Sequence, residues 1–95
     1  MPSSDYLKDI NQEVLDLIDS RDATAGMEWI NPEVEPLDFF FQNTHRKAFV
    51  IKKVFERERG TLKGEALKGV VRETLELLGY AYLLYRRLKD LEYKE

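Results

Sequence analysis

Residues 65–92, EALKGVVRETLELLGYAYLLYRRLKDLE, constrain this chain more than any other stretch. Apolar residues recur there at helical spacing, so the segment predicts one long helix. From Leu77 to Tyr85 no residue is charged, and apolar side chains fall on nearly every side of that helix. A helix that is apolar all round must be enclosed by other protein. A chain of 95 residues builds one domain with a single modest core, and has little with which to enclose such a segment. The expectation is a central helix completed by a second subunit, in a homodimer or higher homo-oligomer, with Glu73 and Glu76 at the edge of the buried part.

The rest of the chain predicts two further helices. Over residues 4–20, Leu7, Ile10, Val14, Leu17 and Ile18 share one face at the i, i+3, i+4, i+7 spacing, and Ser3 or Ser4 is placed to cap the start. Asp9, Glu13 and Asp16 form a second, acidic stripe. Residues 21–36 predict a loop, because Pro32 and Pro36 prevent one regular helix through it. Met27, Trp29, Ile30 and Val34 are apolar enough for this loop to fold back over the core, with Trp29 as an anchor. Residues 37–59 predict the second helix, with Leu37, Phe40, Phe41, Thr44, Ala48, Ile51 and Phe55 as its core stripe. Asn43-Thr44 is a place where that helix can break and restart, and Gly60 is a natural stop. In the third helix, over 65–92, Leu67, Val71, Thr74, Leu78, Ala81, Tyr85 and Leu88 alternate steps of four and three, the pattern of a bundle helix. Gly79 costs about 1 kcal/mol against alanine in a helix interior, and the expected compensation is a closely approaching neighbour. The fold class is all-α: one domain over 1–95, a three-main-helix bundle with a long central C-terminal helix.

Composition removes several function classes. The chain has no cysteine, which excludes disulfide frameworks, thiolate zinc sites and cysteine catalysis. MPSSDYLKD has no basic segment leading into an apolar one, so it does not read as a signal peptide. The apolar runs are far shorter than the roughly 18 residues of a membrane span. The expected location is the cytoplasm. The net charge of −3 hides a strong split. Residues 1–44 hold ten acids and two bases, whereas 45–72 hold nine bases and three acids. The plain reading is an acidic helix packed beside, or across a dimer from, a basic one. The functional reading is a basic surface for phosphate. Nucleic acid is not an expected partner, since the bases of HRKAFVIKKVFERERG point in several directions and the pI is near 5.2, where such domains carry a basic stripe and a high pI.

Few residues carry chemistry. His45 is the single histidine, so neither a Ser-His-Asp arrangement nor a His-rich metal site can be built. Gly60-Thr-Leu-Lys-Gly64 precedes a helix start, where an anion can bind, but it reads first as a linker. The carboxylates are the better candidates. Glu73 and Glu76 are three apart on the third helix and face roughly the same way. Glu13 and Asp16 repeat that spacing on the first. Two hard oxygen ligands plus substrate phosphate oxygens suit Mg²⁺, which polarises a phosphoryl group and activates water. The bland alternative is that they are solvated or salt-bridged, for example Glu76 with Arg72.

At RETLELLGYAYLL the chain resembles MazG-like all-α nucleotide pyrophosphohydrolases, most of all the small phage-type relatives, whose last helix reads approximately D-[ST]-x-x-D-[IL]-x-[GN]-Y-A-x-L. Thr74, Leu75, Leu77, Gly79, Tyr80, Ala81 and Leu83 fit, and Glu76 stands where the second aspartate falls. SRDATAGMEW resembles the R-x-x-T-x-G turn of that group, and HRKAFVIKKVFERERG looks like its K-x-x-R-[IL] helix. The resemblance implies an oligomeric helical fold and Mg²⁺-dependent cleavage of a nucleoside triphosphate to monophosphate and pyrophosphate. It implies Glu76 as a metal ligand, Glu73 as a second, and Lys47, Lys52 or Lys53 as phosphate contacts. The chain departs from the pattern at Arg72, which stands in place of the first aspartate. Glu73 is one position off, a turn of about 100° on a helix. The family's E-E-x-x-E motif has no clear copy, and neither His45 nor Glu13 restores it.

Two functions of different classes follow. One is a MazG-like pyrophosphohydrolase or a degenerate relative. The other is a non-catalytic helical interaction module, such as a small phage or mobile-element regulator or inhibitor, with Asp9, Glu13 and Asp16 as its contact face for a protein partner.

Overall fold

The computed structural model describes residues 2–25, 37–58 and 61–94. Among them the chain is helical: α1 (Ser3–Tyr6), α2 (Lys8–Ala25), α3 (Leu37–Glu58) and α4 (Gly64–Lys94). The all-α expectation holds. α4 is the central element, as its apolar girth required: α3 packs along it most extensively and α2 packs along it as well. No helix among the described residues is long and apolar enough to cross a membrane. The expected loop lies largely outside the described residues, and with it the anchor Trp29 and the apolar Met27, Ile30 and Val34. The stop at Gly60 lies outside them too.

The first helix differs from its expected form at both ends. Leu7, at φ −102° and ψ 3°, separates a single turn from the helix proper. Neither Ser3 nor Ser4 caps it; Pro2 stands at the cap position in extended backbone and makes no side-chain capping bond. At the other end α2 continues to Ala25, where a loop from residue 21 was expected. The extension carries Arg21 to a carboxylate on α4, a tertiary contact that local spacing does not report.

The inward face of α3 is also rotated from the expected stripe. Phe40 is fully buried, but Phe41 and Phe55 are about half exposed and Ala48 is exposed. The residues turned toward the interior are Leu37, Phe40, Thr44, Lys47, Ile51 and Val54, again at steps of three and four. The helix runs unbroken through Asn43-Thr44, and Asn43 donates its side-chain amide to the Phe39 carbonyl at 2.8 Å. Phe40 lies edge-on to Phe39 (5.6 Å) and under the Arg87 guanidinium (5.3 Å), and Phe39 meets Tyr80 at 6.0 Å. Val14 of α2 is the other fully buried large side chain among the described residues. Gly79 is buried beneath Leu17 and Ile18 of α2, but a Cβ there would meet only their side chains, at 3.7 and 3.9 Å, so the packing does not require a glycine as the expected close approach would. Tyr82 ties the same two helices by donating its hydroxyl to the Asn11 side-chain oxygen at 2.7 Å.

Candidate functional site

Three helices bring five charged side chains to one place. Glu73 and Glu76 lie three apart on α4 and so project from the same side. Lys47 stands on the inward stripe of α3, seven residues after Phe40, and meets both. Its ammonium donates to Glu73 Oε2 at 2.7 Å and to Glu76 Oε2 at 2.5 Å. Arg21 of α2 donates to the other Glu76 oxygen at 3.1 Å. Arg72, one turn before Glu76, lies 3.7 Å from that oxygen and is largely exposed.

Lys47 and Glu76 form the enclosed part of this network, with side chains only 14% and 13% exposed. Burial alone would lower the Lys47 pKa, but the hydrogen bonds and charges of Glu73 and Glu76 outweigh it, and the ammonium is held above its ordinary value. The Lys47 hydrogen bond lowers the Glu76 pKa against the opposing effect of burial, with the charges of Lys47, Arg21 and Arg72 assisting. Both groups are thereby fixed in their charged forms. Beside Glu76, between α2 and α4, lies a pocket of about 30 Å³ bounded by Ile18, Arg21, Gly79 and Tyr80. That volume suits one water molecule; a second, open groove of about 330 Å³ runs past Glu73 and Arg72 between α3 and α4.

The residues singled out in the sequence are partly gathered and partly dispersed. Glu73, Glu76 and Lys47 meet. The pairing of Glu76 with Arg72 named in the bland reading is present. Lys52 and Lys53 point outward on α3 and lie 3.7 and 3.8 Å from Glu56. Asp9, Glu13 and Asp16 are exposed on α2, and Asp16 accepts from the Gln12 side chain at 2.8 Å. His45 is exposed. Among the described residues, no three of His, Asp or Glu stand together in a way that could hold a metal ion.

A magnesium ion does not fit the residues as they stand. The place between Glu73 and Glu76 is taken by the Lys47 ammonium. With Arg21 and Arg72 the cluster counts three positive side chains against two carboxylates, the reverse of the balance a divalent cation needs. Sequence reasoning missed two of these partners. The prolines place Arg21 in a loop, and the family resemblance makes Lys47 a phosphate contact, whereas both side chains reach carboxylates on α4. The signal for Lys47 was the spacing Phe40, Thr44, Lys47, Ile51, Val54, which sets it in the interior stripe, where a buried lysine needs a carboxylate.

The chain matches no protein-family model, no curated protein and no solved structure.

Proposed function

We propose that this chain is a non-catalytic helical interaction module, of the kind expected for a small regulator or inhibitor, acting in the cytoplasm as a homodimer or higher homo-oligomer. One observation carries this reading: Lys47 bridges Glu73 and Glu76 at 2.7 and 2.5 Å. The carboxylates best placed for metal chemistry are spent in joining α3 to α4. The exposed stripe Asp9, Glu13 and Asp16 on α2 is then the face for a protein partner with a complementary basic surface. Such a face steers association and selects partners through charge. Reversing these three charges to lysine abolishes that binding and leaves the fold intact, because all three side chains are solvated.

A second reading is the MazG-like pyrophosphohydrolase, and one geometric fact favours it. Glu73 and Glu76 already converge on a single point, and that point becomes a pair of oxygen ligands for Mg²⁺ if Lys47 swings away to hold substrate phosphate. In that case Lys52 and Lys53 supply further phosphate contacts.

Pyrophosphate release from a panel of canonical and modified nucleoside triphosphates, with Mg²⁺ or Mn²⁺, separates the two. Folded protein that releases none fits the interaction module. Release that disappears in Glu76→Gln establishes the hydrolase instead.

A further inference from the structure

We propose that two copies of this chain pair through the outer face of α4, the stripe Leu67, Val71, Thr74, Leu78, Ala81 and Tyr85, across a two-fold axis. This rests on the oligomeric part of the proposed function and assigns it a surface. The circumference of α4 divides into three sectors. Glu73, Tyr80 and Arg87 meet Lys47, Phe39 and Phe40 of α3. Glu76, Gly79 and Tyr82 meet Arg21, Leu17, Ile18 and Asn11 of α2. Among the described residues no helix lies over the third sector, and it is the one with the four-three repeat. Leu67 is 42% exposed, Val71 60%, Tyr85 67% and Leu88 42%, while Thr74, Leu78 and Ala81 between them are partly exposed.

This stripe is not an ordinary exposed helix face. No charge interrupts it from Leu67 to Leu88, a length of about 31 Å at 1.5 Å per residue. Ile10 of α2 borders the same groove as Leu67, Val71 and Leu78, and Glu13, Lys68 and Arg72 form its charged rim. Ile10, at 41% exposed, widens the stripe into a contiguous apolar patch, the kind of surface that marks an interaction site.

A second copy is the occupant that fits. A four-three seam accepts the knobs of another helix with the same repeat, and α4 is itself such a helix. A two-fold axis makes the patch its own complement and closes the assembly at two copies. The chain is elongated along α4, which lays the stripe out along its length: the radius of gyration is 15.3 Å, against about 12 Å for a compact domain of this length.

Sedimentation equilibrium from low to high micromolar protein, on wild type and three variants, tests the pairing. Wild type is expected to be a dimer. Val71→Arg is expected to raise the dimer dissociation constant by about tenfold or more with unchanged helicity. Phe55→Arg, on the outer side of α3, is expected to leave the dimer intact. Because the chain has no cysteine, Leu78→Cys supplies a single thiol at the centre of the stripe, and mild oxidation is expected to link it into a covalent dimer. That link still reports the face if Val71→Arg fails to fold. A wild type that stays monomeric at high micromolar concentration overturns both the oligomer and this face. A dimer that survives Val71→Arg and leaves Leu78→Cys unlinked overturns the face alone.

Discussion

Lys47 and Glu76 hold each other across the α3–α4 contact, ammonium to carboxylate at 2.5 Å, with both side chains almost enclosed. Neither charge would be stable there alone, because a buried ion without its partner keeps its desolvation penalty and loses its compensation. Lys47→Met leaves Glu76 to Arg21 and Arg72 and should cost about 2–3 kcal/mol, less than the roughly 3–5 kcal/mol of a fully buried pair because both side chains keep some solvent contact. Glu76→Leu should cost a similar amount. The double variant should lose clearly less than the two single losses combined, since paired charges give way to apolar side chains of similar size. Urea unfolding of the four proteins measures this, and additive losses would show that the two residues do not act as a pair.

The same pair sets a pH dependence. The Glu76 carboxyl titrates below its ordinary 4.5 in the folded chain. Its contribution to stability is therefore fully present above about 4.5 and is lost as pH falls through the lowered folded value. Lys47 is raised above 10.5, so its contribution is present below 10.5 and is lost as pH rises through the raised value. The pair should act at full strength between those limits. Thermal midpoints should fall on the acid side, and Glu76→Gln should flatten that fall relative to wild type. An acid limb of equal slope in both proteins would assign it to other carboxylates.

Two glycines of α4 should respond in opposite directions. A Cβ at Gly79 would meet Leu17 Cδ2 at 3.7 Å and Ile18 Cγ1 at 3.9 Å, which is ordinary contact. Gly79→Ala should stabilise the protein by up to about 1 kcal/mol through helix propensity. Gly64 has φ +62°, where an L side chain is strained, so Gly64→Ala should destabilise by about 1–2 kcal/mol. Equal signs for the two variants in chemical denaturation would contradict this geometry.

Thr44 offers a stabilising change of another kind. Its hydroxyl is buried in α3 with no hydrogen-bond partner among the described residues, and leaving such a group unpaired costs about 1–3 kcal/mol. Thr44→Val keeps the shape and removes the hydroxyl, so the thermal midpoint should rise. A fall in the midpoint would mean that the hydroxyl makes a bond in solution.

The helices and the central place of α4 were legible in the sequence, because periodicity over 20–30 residues reports which residues can share a face. The facing direction was less legible. On α3, the phenylalanines at 41 and 55 competed with Phe40 for the interior, and the choice fell to Lys47, whose carboxylate partners are 26 and 29 residues away. On α4, the stripe with the cleanest repeat turned out to be the one left uncovered by α2 and α3. Arg21 escaped notice because the helix that carries it extends past its apolar face. At the candidate site, the approach of Glu73 and Glu76 to one point followed from their spacing. The cation standing there did not, since spacing within one helix says nothing about what a second helix inserts.

The most direct measurement is the unfolding midpoint of the wild-type protein with and without millimolar Mg²⁺ or Mn²⁺, at fixed ionic strength, beside Glu76→Gln. With Lys47 seated between the two carboxylates, the expected result is no shift beyond that of a matched monovalent salt. A saturable rise in the wild type that vanishes in Glu76→Gln would contradict it, and would make Glu73 and Glu76 ligands of a metal rather than partners of Lys47.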